Sequence, residues 1–259
     1  MSGQKTCLVI GAGAGIGGTV GKRFAEGGYH AALCRRSDVD GLNGMVEDFK
    51  GSGLSASGHL LNAVDDGALE NVSEEVEAIG PIDTVLYNLG AQVGNRSLDD
   101  TPLRTFELGW RMACFGLCRV AKVLVPLMIE RGHGTILVTS ATAAMRGNSG
   151  QHSHAAAMAG RRLLCQTLNA EYAAQGLHVV HILVDGAVDA PDTLGKMLGA
   201  ERFEALREAK GKDKDGLLLP EKMAETYYHL AQQHRSAWTH ELDLRAYSDL
   251  AWWNHEVHI

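Results

Sequence analysis

Proline and aromatic residues are scarce in this 259-residue sequence, and positive charge is in deficit: 5 Pro, 6% aromatics, and 24 Lys+Arg against 31 Asp+Glu, for a net charge of −7. With so little proline and no Ser-rich stretch, no linker divides the chain. The acidic balance excludes a protein that grips nucleic acid over its whole surface. No apolar run approaches the length of a membrane span. The opening MSGQKTCLVIGAG has no cleavable apolar segment. The expectation is a cytoplasmic protein with neither a nucleic-acid nor a membrane partner. Cysteine is sparse too: Cys7, Cys34, Cys114, Cys118 and Cys165 are scattered without zinc-finger spacing, so no metal site is expected and the thiols read as free in a reducing compartment. Hydrophobic content of 45% and charged content of 21% are ordinary globular usage, which excludes disorder as the default state.

Glycine is the one residue in excess, with 31 copies, roughly 12% against about 7% in average usage. Its placement follows from the pattern of elements. Short unbroken apolar runs at 7–10, 31–34, 84–87, 135–139 and 178–184 read as strands covered on both faces. Stretches of helical spacing lie between and after them, near 16–27, 68–79, 104–130, 153–174 and 220–233. This alternation, with right-handed crossovers, predicts an α/β chain folded as one Rossmann-type, doubly wound parallel sheet.

The first strand, CLVI, runs directly into Gly11-Ala-Gly13-Ala-Gly15-Ile16-Gly17, and a helix follows. Such a loop brings backbone amides close to a pyrophosphate with no Cβ in the way, and the helix dipole favours the negative charge. A tight turn with no ligand is the competing reading. The second strand ends at Arg35 and Arg36. A carboxylate there would hold the ribose 2′-hydroxyl of NAD, whereas guanidinium suits the 2′-phosphate of NADP. NADP is therefore the expected cofactor and NAD the less favoured one. A solvated arginine pair is the alternative.

These residues resemble the short-chain dehydrogenase/reductase family from about residue 5 to 245. Gly11-x-x-x-Gly15-Ile16-Gly17 is similar to its TGxxxGIG, with Ile10 in place of Thr, and Asn88-Leu89-Gly90-Ala91 to its NAG segment. Asn62, followed by Ala63, falls where the family often has an Asp against adenine. Asp185-Gly186-Ala187-Val188 resembles its PG-x-V segment beside the nicotinamide, with Asp185 for Pro. The resemblance implies cofactor-binding roles for Gly11, Gly13, Gly15, Ile16, Arg35, Arg36, Asn62, Ala63, Asn88, Gly90, Gly186 and Val188.

The family's Asn-Ser-Tyr-Lys catalytic tetrad is replaced. In that tetrad Tyr passes a proton to or from the substrate oxygen, and the Lys four residues on lowers the Tyr pKa. Aligned without gaps, His154 stands at the Tyr position, Met158 at Lys, Ala141 at Ser with Ser140 one residue early, and Ala113 at Asn. Only His154 keeps acid–base capacity, since an imidazole titrates near neutrality without a lysine. It is the candidate proton donor, with Ser140, Thr142 or His152 as helper; otherwise His152 and His154 are pocket-wall residues.

Three readings stand open. One is an NADP-linked oxidoreductase acting on an unidentified carbonyl or alcohol. The second is a nucleotide-binding sensor or scaffold without turnover. The third is a chain that has lost cofactor binding as well, with Ile10 and Asn62 as its support. Gln92, Val93, Met145 and Asp189 are further candidate pocket walls. Residues 192–216 are a candidate lid, or else a solvated excursion, and 246–259 a tail packed on its own domain or on a partner subunit. Apolar residues on more than one face of the helices at 104–130 and 153–174 imply a homodimer or homotetramer, with Arg161 and Arg162 near the seam or facing water.

Overall fold

The computed structural model describes residues 3–90 and 94–254. A single seven-stranded parallel sheet is built from β1 (Thr6–Ile10), β2 (His30–Arg35), β3 (Ala56–Leu60), β4 (Ile82–Tyr87), β5 (Gly134–Ala141), β6 (Leu177–Val184) and β7 (Glu241–Leu244), in the order β3-β2-β1-β4-β5-β6-β7. The central strands are buried at nearly every position because both faces are covered. In β1, Leu8 and Ile10 enter one core, and Cys7 and Val9 the other. The Leu8 face is packed by α3 (Ala68–Ile79), α5 (Gly116–Glu130) and α6 (His152–Tyr172). The opposite face is packed by α1 (Ile16–Glu26), α2 (Val39–Gly51) and α9 (Pro220–Ala231). Chain leaving β1 goes to one face and chain leaving β4 to the other, so the strand ends part between them. This is the switch point at which doubly wound sheets bind ligands.

All five expected strands are present, and sequence reasoning missed the two edge strands β3 and β7 and the helix α2. The long helical stretch predicted at 104–130 is interrupted. It comprises α4 (Leu103–Trp110), a π turn at Arg111–Phe115, and α5. One expectation needs correction here: Leu103–Glu130 is long and apolar enough to cross a membrane. Its Leu117, Val120, Leu124 and Met128 are instead fully buried against the sheet, as suits a core helix. The segment 192–216 holds the single turn α7 (Lys196–Leu198) and α8 (Ala200–Lys210). Phe203 is the one buried residue of α8, and Arg207 pairs with Asp189 at 3.0 Å. The described part of the tail packs on its own domain. Asp185, buried at the end of β6, accepts from the backbone N–H of Trp252 at 2.9 Å and pairs with Arg245 at 3.0 Å, while Arg146 donates to the Trp252 carbonyl at 2.6 Å.

Candidate active site

A cleft of about 300 Å³ opens at the switch point. Its one end is formed by Gly11, Gly13, Gly15, Ile16 and Gly17, its middle by Asn88, Leu89 and Gly90, and its other end by Ser140, Ala141, His154, Met158, Arg161 and Val188. The glycines are needed by geometry. Gly11 sits at φ +98°, and a Cβ on Gly17 would lie 2.1 Å from the Gly11 carbonyl oxygen. Asn88 locks this turn to β4: its backbone N–H donates to the Ile10 carbonyl at 2.9 Å and its side-chain amide to the Gly11 carbonyl at 3.1 Å. Gly13 differs, since among the described residues no atom beyond its chain neighbours lies within 4 Å of where its Cβ would stand. No side chain caps α1, so the positive end of its dipole faces the cleft. A Cβ-free strip of backbone beside an uncapped helix start fits a dinucleotide pyrophosphate.

At the adenosine end the structure changes the reading of three residues. Arg35 is held: Nε donates to the Ala12 carbonyl at 2.7 Å and a terminal nitrogen donates to Asp38. Asp38 in turn caps α2 from a left-handed conformation, accepting from the Gly41 N–H at 3.1 Å. Arg36 is exposed. A neighbouring recess contains Lys22, Arg35 and Lys196 together with Asp38, Asp48 and Asp192; sequence reasoning missed both lysines, and Lys196 is paired with Asp192 at 3.6 Å. Asn62 turns its amide to Asp65 at 2.8 Å, and Ala63 is buried in the core. Gly186 borders a separate recess with Thr142, Lys210 and Asp249, not the main cleft.

At the other end, His154 and Ser140 line one cleft. The Ser140 hydroxyl is directed at the Met158 sulfur at 3.7 Å, and Ala113 is fully buried beneath. His152 is on the exposed side of α6, which removes it as a helper. Met145 packs with Ala143, Ala144 and Met158 in a small apolar cluster. Gln92 and Val93 lie outside the described residues, as do Ala91 and positions 255–259 of the tail. Arg161 does not face water. Arg161 is 1% exposed and lines the cleft, and Arg162 makes a two-pronged pair with Glu241 at 2.6 and 2.8 Å.

A doubly wound parallel sheet with a glycine-lined cleft at its switch point defines a nucleotide-binding α/β protein of the Rossmann type. The chain belongs to the short chain dehydrogenase family, whose model matches residues 5–194. It is 28% identical to the 3-oxoacyl-acyl-carrier-protein reductase FabG of Thermotoga maritima over 73% of this chain and 76% of that protein. Among solved structures it is similar to a short-chain dehydrogenase from Rhodopseudomonas palustris, with 29% identity, a TM-score of 0.78, and coverage of 94% of this chain and 99% of that one. An alcohol dehydrogenase from the archaeon Thermococcus sibiricus shares the fold at 23% identity, with a TM-score of 0.79 over 95% of this chain and 98% of that one.

Proposed function

We propose that the chain is an NADP-linked oxidoreductase acting on a small carbonyl or alcohol, with His154 as its proton donor. The observation that carries this reading is the continuity of one cleft from the glycine strip to His154. A cofactor laid along it would have its pyrophosphate on Gly13, Gly15 and Ile16, its 2′-phosphate near Arg36, and its reactive ring beside Val188. Bound there, NADP would supply hydride transfer. The chain's own part is to fix the substrate oxygen and move one proton. His154 does this from the third position of α6, on a rigid element, with Ser140 in the same wall. A general acid of this kind contributes typically about 10²–10⁴-fold. Residues 192–216, held by Phe203 and by Arg207 on Asp189, are proposed as the lid.

Calorimetry with NADPH and NADH, followed by NADPH oxidation over a panel of aldehydes and ketones at pH 5–9, tests the reading. NADPH binding with turnover that falls at least about 100-fold in His154→Ala is the expected result. Binding without turnover on any carbonyl would instead support the sensor or scaffold function. The specific observation favouring that second reading is that Ala113, Ala141 and Met158 bring no titratable group to the cleft.

We also propose a homodimer or homotetramer located in the cytoplasm. Most of the apolar stripe expected to drive assembly is used internally, because Leu117, Val120 and Leu124 are buried in the chain's own core. The exposed apolar residues on these helices are Leu103, Phe106, Leu108, Trp110 and Leu163. An apolar face of this kind favours cover by a second copy.

A further inference from the structure

Arg161 is the largest fully buried side chain of the described residues, and burial lowers its pKa from the ordinary arginine value. An arginine in a core is costly unless its donors are used. Its hydrogen bonds go to carbonyls rather than carboxylates: Nε to Ala113 at 2.9 Å, one terminal nitrogen to Thr139 at 2.5 Å and the other to Leu89 at 2.6 Å. Its guanidinium also lies 5.2 Å from the centre of the Tyr87 ring.

The three acceptors share an origin. Each lies where a regular element breaks to open the cleft. Leu89 follows the end of β4. Pairing of β4 with β5 stops at Tyr87 opposite Val138, so at Thr139 the β4 side of β5 has no strand beside it. Ala113 lies in the π turn, where the hydrogen-bond ladder is stretched and a carbonyl can leave it. The neighbouring Met112 carbonyl is taken by the Tyr87 hydroxyl. Parting the strands thus strands backbone acceptors at the floor of the cleft, where they must be satisfied. Arg161 reaches all three from the α6 stripe that also carries His154 and Met158, at spacings of seven and three residues, so these side chains share one helix face.

We propose that Arg161 is a positioning residue: it clamps the Leu89 loop, the end of β5 next to Ser140, and the π turn, and so holds the cleft in the shape that takes the cofactor. Apolar residues could fill the same volume, but they would remove the bonds that tie these three carbonyls to one side chain and leave the three segments free to move apart. The clamp rests on the proposed cofactor cleft for its purpose but not for its existence, and the two are tested separately.

Hydrogen exchange on the ligand-free protein tests the clamp in Arg161→Met and Arg161→Lys, with circular dichroism to check folding. Arg161→Met should speed exchange at least about tenfold in segments 87–90, 111–115 and 138–141 while β1, β2 and α1 stay as protected as in the parent. Arg161→Lys, which keeps three donors and the charge, should recover most of that protection and stays informative should the Met variant not fold. NADPH calorimetry then tests the purpose, with an expected loss of affinity of about tenfold or more in Arg161→Met and within about threefold in Arg161→Lys, in line with the strength of charge-assisted hydrogen bonds. Unchanged exchange in the three segments, or faster exchange everywhere alike, would overturn the clamp. Selective loosening with full NADPH affinity would overturn its role in binding. Absence of NADPH binding by the parent protein would refute the cofactor reading and, with the local loosening intact, leave the clamp standing as a structural device alone.

Discussion

Two alanine substitutions four residues apart separate a tight turn from a ligand cradle. In Gly17→Ala the new Cβ would stand 2.1 Å from the Gly11 carbonyl oxygen and 3.0 Å from the Asn88 side-chain nitrogen. Relief requires the loop to move by about 1 Å or more, because ordinary heavy-atom contacts begin well beyond 3 Å. The Gly11 carbonyl accepts from the Gly13 N–H at 3.0 Å and from Asn88 at 3.1 Å. Weakening two such bonds costs about 0.5–1.5 kcal/mol each, and overpacking about 1–3 kcal/mol more. Scanning calorimetry should therefore show a lower melting temperature, by about 5–15 °C for a chain of this size, along with at least about tenfold weaker NADPH binding. Gly13→Ala meets no atom of the described residues beyond its chain neighbours within 4 Å, so its melting temperature should not fall. Its methyl group would project into the cleft, and NADPH affinity should drop by about tenfold all the same. Gly13→Ala binding NADPH as tightly as the parent would show that nothing lies along this strip, and the cradle argument would be refuted even if Gly17→Ala behaved as expected.

Gly44→Ala, in the interior of α2 with open space around its Cβ, should raise stability by about 0.5–1 kcal/mol, seen as a melting temperature about 1–4 °C higher. Burial pushes the His181 imidazole down from 6.5 to about 4, against the opposing pull of Glu241. The unfolded chain therefore binds the extra proton, so this contribution is intact above about pH 6.5 and is lost as pH falls towards 4, by about 3 kcal/mol. Urea titrations at several pH values should find that loss reduced in His181→Gln. Arg36→Ala should weaken NADPH binding by about ten- to a hundredfold and leave NADH unchanged, as expected for one charged hydrogen-bonded contact; equal losses for both cofactors would remove Arg36 from the 2′-phosphate. Leu163→Arg should lower the assembly state in sedimentation velocity without unfolding the chain.

The parts of the fold that could be read from sequence are those whose burial is uniform. Strands β1, β2, β4, β5 and β6 lie inside the sheet and are each built around short apolar runs. The missed strands are the two edges. ASGHL in β3 alternates in burial and ELDL in β7 is half-buried throughout, so neither forms an apolar run. Helix α2 contains Gly41 and Gly44 in its first half, which masks its period, although Leu42, Val46 and Phe49 carry the buried face. At the site, the glycine loop was legible because its chemistry is local to the backbone. The hold of Asp38 on Arg35 was not legible, because Asp38 is set by the cap of α2, a geometry that no local pattern encodes.

The same distinction explains why Arg161 was taken for a surface residue. Charge at a single position argues for exposure, and only the spacing contradicts it: His154, Met158, Arg161 and Cys165 fall at i, i+4, i+7 and i+11, the face of α6 that turns inward. An interior stripe bearing a charge requires interior acceptors, and a parallel sheet that divides at a switch point supplies them, because its strands end at different heights and leave carbonyls without partners. A buried cation beside a ligand cleft is thus a consequence of how the cleft opens. In this chain an apolar Met158 and a buried Arg161 occupy one stripe, so positive charge reaches the cleft floor from one helical turn further along, where it is bonded to the backbone that shapes the site.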